Sequence, residues 1–239
     1  MAFIDLHSHY VPGIDDGVRD VEEGVALLRE LKRIGFGQVI ATPHMRPSLF
    51  DNRREDLERA FDAVRPNFEQ PGLPETALSS EHYFDDVVYQ RLLEGSGLPY
   101  PGGKAVLLEF YEMDFPPMID RCFSELRRRG LLPVIAHPER YRCLWNSTDA
   151  LERLVDGGAA ALLDTAALVG KYGHKPQKTA ETILELGLYH AACSDAHRPA
   201  DASAVERGMQ RIEQLYGQEE IDFLFDEGPR ALLLGQLPG

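Results

Sequence analysis

Phe3-Ile4-Asp5-Leu6-His7-Ser8-His9 sets the pattern from which the fold is read: a short apolar run that stops abruptly at polar, chemistry-bearing side chains. Segments at Gln38–Ala41, Ala77–Ser79, Ala105–Leu108, Pro133–Ala136, Ala160–Leu163 and Tyr189–Cys193 have the same length and apolar character, as buried strands do. Between them lie amphipathic stretches of helical period near Val21–Ile34, Asp51–Arg65, Asp85–Leu93, Pro117–Arg129, Thr148–Val155 and Pro176–Leu186. Two more follow the last strand, near Ala202–Tyr216 and Glu219–Phe225. In the first helix Val21, Val25, Leu28 and Leu31 share a face, and Gly35 supplies a stop. Strand-then-helix units in unbroken succession argue for an α/β fold with parallel strands. No glycine-rich dinucleotide fingerprint follows the first strand, which disfavours an open doubly wound sheet. The expectation is a single-domain, distorted (βα)7 TIM-like barrel over residues 1–239, one unit short of the eightfold form.

Composition narrows the function. Of 239 residues, 44% are hydrophobic and 27% charged, which excludes a disordered or fibrous chain. No apolar run reaches the roughly 18 residues that span a bilayer, so no membrane insertion is expected. The start MAFIDLHSHY lacks the basic region and apolar stretch of a secretory signal, and Cys122, Cys143 and Cys193 are odd in number and far apart. Both features lead to the expectation of reduced thiols in a cytoplasmic protein. With 25 basic against 39 acidic residues the net charge is −14, which argues against a grip on nucleic acid phosphates. Anionic substrates remain open, because bound metal ions can reverse the local field.

The chemistry lies at the strand ends. His7 and His9 follow the first strand, with Asp15-Asp16-Gly17 shortly after. Thr42-Pro43-His44 follows the second, Ser80-Glu81 the third, and Leu108-Glu109 ends the fourth. The fifth runs into His137-Pro138-Glu139-Arg140 and the seventh into Ser194-Asp195-Ala196-His197. In parallel barrels these C-terminal ends surround one mouth. In extended chain, residues two apart point the same way, so His7 with His9, and Asp195 with His197, can serve one ion. Each piece alone has a plainer reading: His-x-His as polar surface, Thr-Pro-His as a turn into a helix, the glutamates as caps or partners of arginine. Their joint placement makes the metal site. Nine candidates (His7, His9, Asp16, His44, Glu81, Glu109, His137, Asp195 and His197) are too many for one ion, and two or three are expected. Imidazole and carboxylate without cysteine suit Mn²⁺, Fe²⁺ or Zn²⁺.

His82 should face away from Glu81, His190 opens a strand far from the mouth, and His174 lies in a solvated loop; all three are set aside. Cys122 and Arg128 have the C-x₅-R spacing of cysteine-dependent phosphatases. The intervening residues lack glycine, carry Glu125 and follow a helical pattern, so Cys122 is a helix residue.

Asp5-Leu-His-Ser-His9, Gly13-Ile-Asp-Asp-Gly17, Ala41-Thr-Pro-His44, Ala136-His-Pro-Glu-Arg140 and Ser194-Asp-Ala-His197 together resemble the PHP (polymerase and histidinol phosphatase) superfamily. Within it the chain is most similar to the CpsB/CapC/YwqE-type manganese-dependent protein-tyrosine phosphatases of bacterial polysaccharide systems, in order and as far as Gly228-Pro-Arg-Ala231. The resemblance implies a PHP-type barrel with a trinuclear Mn²⁺ site. His7, His9, Asp195 and Glu81 would hold one ion; Glu81 would bridge to a second held by Glu109 and His137; Asp16, His44 and His197 would hold the third. Arg140 would bind substrate phosphate, with Arg46 a second contact. It also implies a partner, the phosphotyrosine tail of a bacterial tyrosine autokinase that controls capsule or exopolysaccharide export. Two positions depart from the family pattern: Asp164 stands where asparagine is usual, and the arginine a few residues past the last ligand histidine is missing, with Arg198 closer in sequence.

The reaction expected is attack of metal-activated hydroxide on phosphorus, with His44 or His197 as candidates to protonate the leaving oxygen. The rivals are a histidinol-phosphate or other small-molecule phosphatase, a TatD-like nuclease, an amidohydrolase, and a non-catalytic phosphotyrosine- or metal-binding protein. Net charge disfavours the nuclease. Glu109, where amidohydrolases usually carry a bridging lysine, disfavours the amidohydrolase. The complete ligand set disfavours the idle binder.

Overall fold

A computed structural model describes residues 2–238. In chain order the elements are β1 (Phe3–Ser8), α1 (Val21–Arg33), β2 (Phe36–Ala41), β3 (His44–Met45), α2 (Arg54–Phe68), β4 (Glu75–Leu78), β5 (Glu81–Tyr83), α3 (Asp86–Leu93), β6 (Ala105–Glu109), α4 (Ile119–Arg128), β7 (Leu132–Ala136), α5 (Asp149–Asp156), β8 (Ala160–Asp164), α6 (His174–Glu185), β9 (Ala191–Cys193), α7 (Ala202–Tyr216), α8 (Gln218–Asp222) and α9 (Gly228–Leu233). Every strand pair is parallel.

The second and third expected strands are each followed by a further short strand that the sequence reading did not anticipate. β2 and β3 are separated by Thr42-Pro43, and β4 and β5 by Ser79-Ser80. The ladders therefore fall into two sheets, β1-β2-β4 and β3-β5-β6-β7-β8-β9. They join at the rim: Ser8 bridges Ala196 in parallel, His9 N–H donates to Ala196 O at 2.9 Å, and Asp195 N–H donates to His7 O at 2.9 Å. Only β5, not β4, is laddered to β6 among the described residues. The Leu98–Tyr100 segment fills that gap, since Ser79 Oγ donates to Leu98 O at 3.1 Å and Tyr100 Oη crosses to Leu6 O at 2.9 Å. This is the distortion expected of the barrel.

Strand periodicity divides the apolar residues into two buried clusters. Ile4, Leu6, Ile40, Leu107, Val134, Leu162 and Cys193 fill the inside, closed by Tyr100 and by Leu232 of α9. Their neighbours Val39, Val106, Leu108, Ile135 and Leu163 face outward, where the inner faces of the helices cover them. In α1, Leu27, Leu28 and Leu31 are buried, Asp20 caps the start by accepting from Glu23 N–H, and Gly35 follows at φ +114°, a conformation glycine adopts freely. Cys122 lies within α4 between buried Ile119 and Phe123. The second helix begins at Arg54 rather than at Asp51, because Asn52 is used otherwise: its amide donates to Ile14 O and His44 O at 2.9 and 2.8 Å, tying two mouth loops together.

Leu162, fully buried inside the barrel, tests this packing. Leu162→Ala should cost about 2–5 kcal/mol, read by denaturant unfolding of the metal-free protein. A loss under about 1 kcal/mol would mean that the interior is not close-packed.

Candidate metal centre

The mouth continues the inner face of the barrel beyond the strand ends. Leu107 is inside, and Glu109 follows two residues later; Cys193 leads in the same way to Asp195, and Ile40 through Thr42 to His44. Glu81 stands beside Leu107 in the ladder. Two positions need a re-aimed backbone: His137 and Asp195 have φ of +34° and +42°. For residues other than glycine this left-handed region costs about 1–2 kcal/mol each. Both side chains enter the same cluster, which is where such strain is stored.

Ligand atoms form four overlapping groups, each with its atoms within 4.8 Å of one another: His7, His9 and Asp195; His7, Glu81 and His137; His44, Glu81 and Glu109; and His9, Asp16, His44 and His197. All nine residues selected from the sequence are therefore brought together. His7 Nε2 lies 2.8 Å from Asp195 Oδ1, and Glu81 Oε2 lies 3.6 Å from both His7 Nε2 and His9 Nε2. Glu81 Oε1 is 2.9 Å from His137 Nε2, while its Oε2 is 3.1 Å from His44 Nδ1. Asp16 Oδ1 sits 3.4 Å from His44 Nε2 and 3.5 Å from His197 Nε2. The grouping differs from expectation in one respect: Glu109 groups with His44 and Glu81, its Oε2 3.8 Å from His44 Nδ1, rather than with His137.

Three supporting residues escaped the sequence reading. Asp15 Oδ2 lies 2.7 Å from His9 Nδ1 and accepts from His44 N–H at 3.1 Å. It thereby fixes which nitrogen of His9 faces the other ligands, the usual carboxylate–histidine support of a metal ligand. Thr42 Oγ1, 3.2 Å from His7 Nδ1, does the same for His7. Asp5, buried beneath the site, accepts from both the backbone N–H and the hydroxyl of Ser194. Asp15 was open to discovery from its Asp-Asp-Gly turn; Asp5 sits mid-strand, where no spacing rule points to it. Gly17 is required here because a Cβ would lie 2.2 Å from His9 O.

His82 turns away as expected, its Nδ1 2.9 Å from Leu107 O and its Nε2 accepting from Leu98 N–H. His190 accepts from Ala161 N–H, and His174 starts α6 on the surface. A cavity of about 1050 Å³, lined in part by Arg54, Arg65, Pro99 and Leu131, contains no member of the ligand groups. Chemistry rather than cavity size marks the site.

Five carboxylates (Asp15, Asp16, Glu81, Glu109 and Asp195) surround these imidazoles. Burial pushes the Glu81 carboxyl well above its usual range, and Glu109 pushes it further. Burial would also raise Asp195, but Arg140, His7 and His197 hold it well below. Burial lowers His7 to about 4, the neutral state in which imidazole ligates. Buried atoms without a hydrogen-bond partner gather here: Glu109 Oε2, His137 Nδ1 and Arg140 Nε. Buried polar atoms are normally paired. Orphaned donor atoms and an excess of carboxylate in a nitrogen–oxygen set without cysteine fit divalent ions.

Arg140 stands beside this group. Its Nη2 meets Asp164 Oδ2, Asp195 Oδ2 and Tyr172 Oη, and its Cζ lies 3.9 Å from the centre of the Tyr172 ring. Arg46 stacks at 4.1 Å over Tyr83, with Nη1 3.9 Å from Glu109 Oε2. Arg198 is engaged elsewhere: its Nη1 donates to the carbonyls of Asp16, Gly17 and His197, stapling the Asp16 loop to the last ligand segment.

The model of the family described as capsular polysaccharide synthesis, CpsB/CapC, matches residues 3–234. The chain is 28% identical to tyrosine-protein phosphatase YwqE of Bacillus subtilis, over 98% of this chain and 92% of that protein. It is also 28% identical to tyrosine-protein phosphatase CpsB of Streptococcus pneumoniae, over 98% and 99%. A solved structure from work on YwqE and CpsB, described as unique metal-dependent tyrosine phosphatases, superposes with a TM-score of 0.88 at 28% identity, covering 98% of this chain and 95% of that one.

Asp15→Asn keeps the size of the side chain but removes the anion that orients His9. Metal affinity, read by titration calorimetry, should fall about 10–100-fold. Unchanged affinity would mean that Asp15 has no part in holding the ligand set.

Proposed function

This chain belongs to the CpsB/CapC family of capsular polysaccharide synthesis proteins, and from that premise we propose that it is a metal-dependent tyrosine-protein phosphatase. Its substrate in this reading is the phosphotyrosine tail of a bacterial tyrosine kinase in capsule or exopolysaccharide regulation. The observation that carries the proposal is the convergence of nine His, Asp and Glu ligand residues on one barrel mouth with Arg140 at its edge. The names of its full-length relatives support the choice of phosphotyrosine.

The ions are taken to be two or three Mn²⁺, with Fe²⁺ or Zn²⁺ able to use the same donors. Bound divalent ions lower the pKa of water from about 16 to about 7 and offset charge on phosphoryl oxygens. The remaining work falls to side chains. His7, His9, Asp195 and Glu81 are assigned to one ion, Glu81 with His137 to a second that Glu109 would reach from the His44 side, and Asp16, His44 and His197 to the outermost. Arg140 is assigned to the phosphate, since a guanidinium suits planar contact with phosphoryl oxygens. Arg46, on the opposite ligand group, is assigned as a second contact. A phenol leaves with a pKa near 10 and needs less protonation than an alkoxide. His197, at 27% side-chain exposure the most open of the ligand histidines, is the first candidate to assist the leaving oxygen, with His44 the second, a role open to either only while it is protonated and not bound to an ion. No helix among the described residues is long and apolar enough to cross a membrane. A cytoplasmic location, with the barrel as one functional unit, completes the proposal.

Phosphate release from a tyrosine-phosphorylated peptide and from histidinol phosphate, compared with Mn²⁺ and with EDTA, tests it. Turnover should require the metal and favour the peptide. Preference for histidinol phosphate would overturn the substrate assignment. His137→Asn, with asparagine tolerant of the left-handed backbone, should lose at least about 10²-fold in kcat while its circular dichroism is unchanged. Retained activity in that variant would remove His137 from the site.

A further inference from the structure

Beside Arg140 the end of β8 carries a buried carboxylate, Asp164, that the ligand groups do not include. Asp164 Oδ1 accepts from Ala166 N–H at 2.9 Å, capping the 3₁₀ turn Thr165–Val169. Its Oδ2 accepts from Arg140 Nη2. Its own N–H donates to Glu139 Oε1 at 3.0 Å. Capping alone does not require a charge, because serine or asparagine caps as well. Two contacts at once do: an asparagine oxygen taken by Ala166 N–H would leave an amide donor facing the donor of Arg140.

The same Nη2 is shared by Asp195 Oδ2 and by Tyr172 Oη at 2.6 Å, while Nε is buried without an acceptor. One terminal nitrogen therefore carries three protein oxygens. The two carboxylates differ in their commitments. Asp195 turns its other oxygen to His7, within the ligand groups. Asp164 belongs to none of the ligand groups, and Lys171, a weaker influence on it than Arg140, is paired with Asp201 at 2.9 Å. The charge of Asp164 therefore bears chiefly on Arg140 and on any anion that Arg140 binds.

We propose that Asp164 is an affinity-setting residue, which anchors Arg140 and competes with phosphate for it, so that the site holds phosphate groups loosely. The proposal rests on the phosphatase reading, in which Arg140 meets the phosphoryl group. Loose retention matters after hydrolysis, when inorganic phosphate must leave a mouth rich in positive ions. Tyr172 keeps the guanidinium in place by stacking, so that removing Asp164 takes one of the three acceptors, and one negative charge, from Nη2 without releasing the side chain.

The test uses the Mn²⁺-loaded protein and inorganic phosphate, measured by calorimetry and as a competitive inhibitor of peptide hydrolysis. Asp164→Asn and Asp164→Ser both remove the anion, and serine retains the cap if the asparagine variant folds poorly. Each should tighten phosphate binding about tenfold, the scale for deleting one like charge at close range, and should lower KM without raising kcat. In an Arg140→Ala background the same substitutions should change phosphate affinity much less. Unchanged or weaker phosphate binding in both variants would overturn the proposal, as would a gain of equal size without Arg140. A purely structural role would lower the melting temperature and leave phosphate affinity where it was, which also counts against it. Because binding is read without turnover, failure on every phosphotyrosyl peptide would remove the phosphatase reading while the Asp164 comparison still scores on its own.

Discussion

Glu81 is the side chain on which the ligand set turns. Its carboxylate is 1% exposed, with one oxygen toward His137 and the other facing His44, His7 and His9. Desolvating an isolated carboxylate costs several kcal/mol, and nearby Glu109 makes ionisation harder. His7 is pushed toward its neutral form, and although His9 and Arg140 favour the ionised carboxylate, burial and Glu109 still hold the Glu81 carboxyl well above its usual range. Divalent ions held by these residues would offset that charge, because each candidate group offers both carboxylate and imidazole. Because Glu81 belongs to two of the ligand groups, its two oxygens would serve both.

The barrel is irregular where it serves this cluster. β2 and β4 both break just before a ligand, so that His44 and Glu81 restart their strands side by side. β1 shifts register against β2 between Asp5 and Ser8, the stretch that presents His7. His137 and Asp195 sit in left-handed backbone. Held against these strains is a shell of hydrogen bonds from Asp5, Asp15, Thr42 and Ser194. Such a shell costs nothing extra when ions bind, because the ligands are already aimed.

The architecture was legible because apolar strand and polar end alternate so regularly, and period two carries the inner face straight into the ligands. The helices were legible from their buried stripes. What the sequence hid has local causes. The short strands His44–Met45 and Glu81–Tyr83 lie past the apolar runs that marked strands two and three, and only pairing with neighbours reveals them. Asn52 looked helical, yet its amide is consumed by Ile14 O and His44 O. Asp15 is indistinguishable from Asp16 by type, and the turn alone decides that one supports His9 while the other faces His44 and His197. Arg198, close in sequence to the last ligand histidine, proved to be a backbone staple. Neither Glu109's preference for His44 nor the clasp of Asp164 on Arg140 follows from spacing, because both depend on how neighbouring strand ends meet in space.

The most direct measurement is anomalous diffraction at the manganese edge from crystals grown with Mn²⁺. The account predicts at least two manganese peaks, with the Glu81 carboxylate between them, one flanked by His7, His9 and Asp195 and the next by His137 or Glu109. A single peak that leaves Glu81 without a metal contact, or manganese bound away from the barrel mouth, would contradict it.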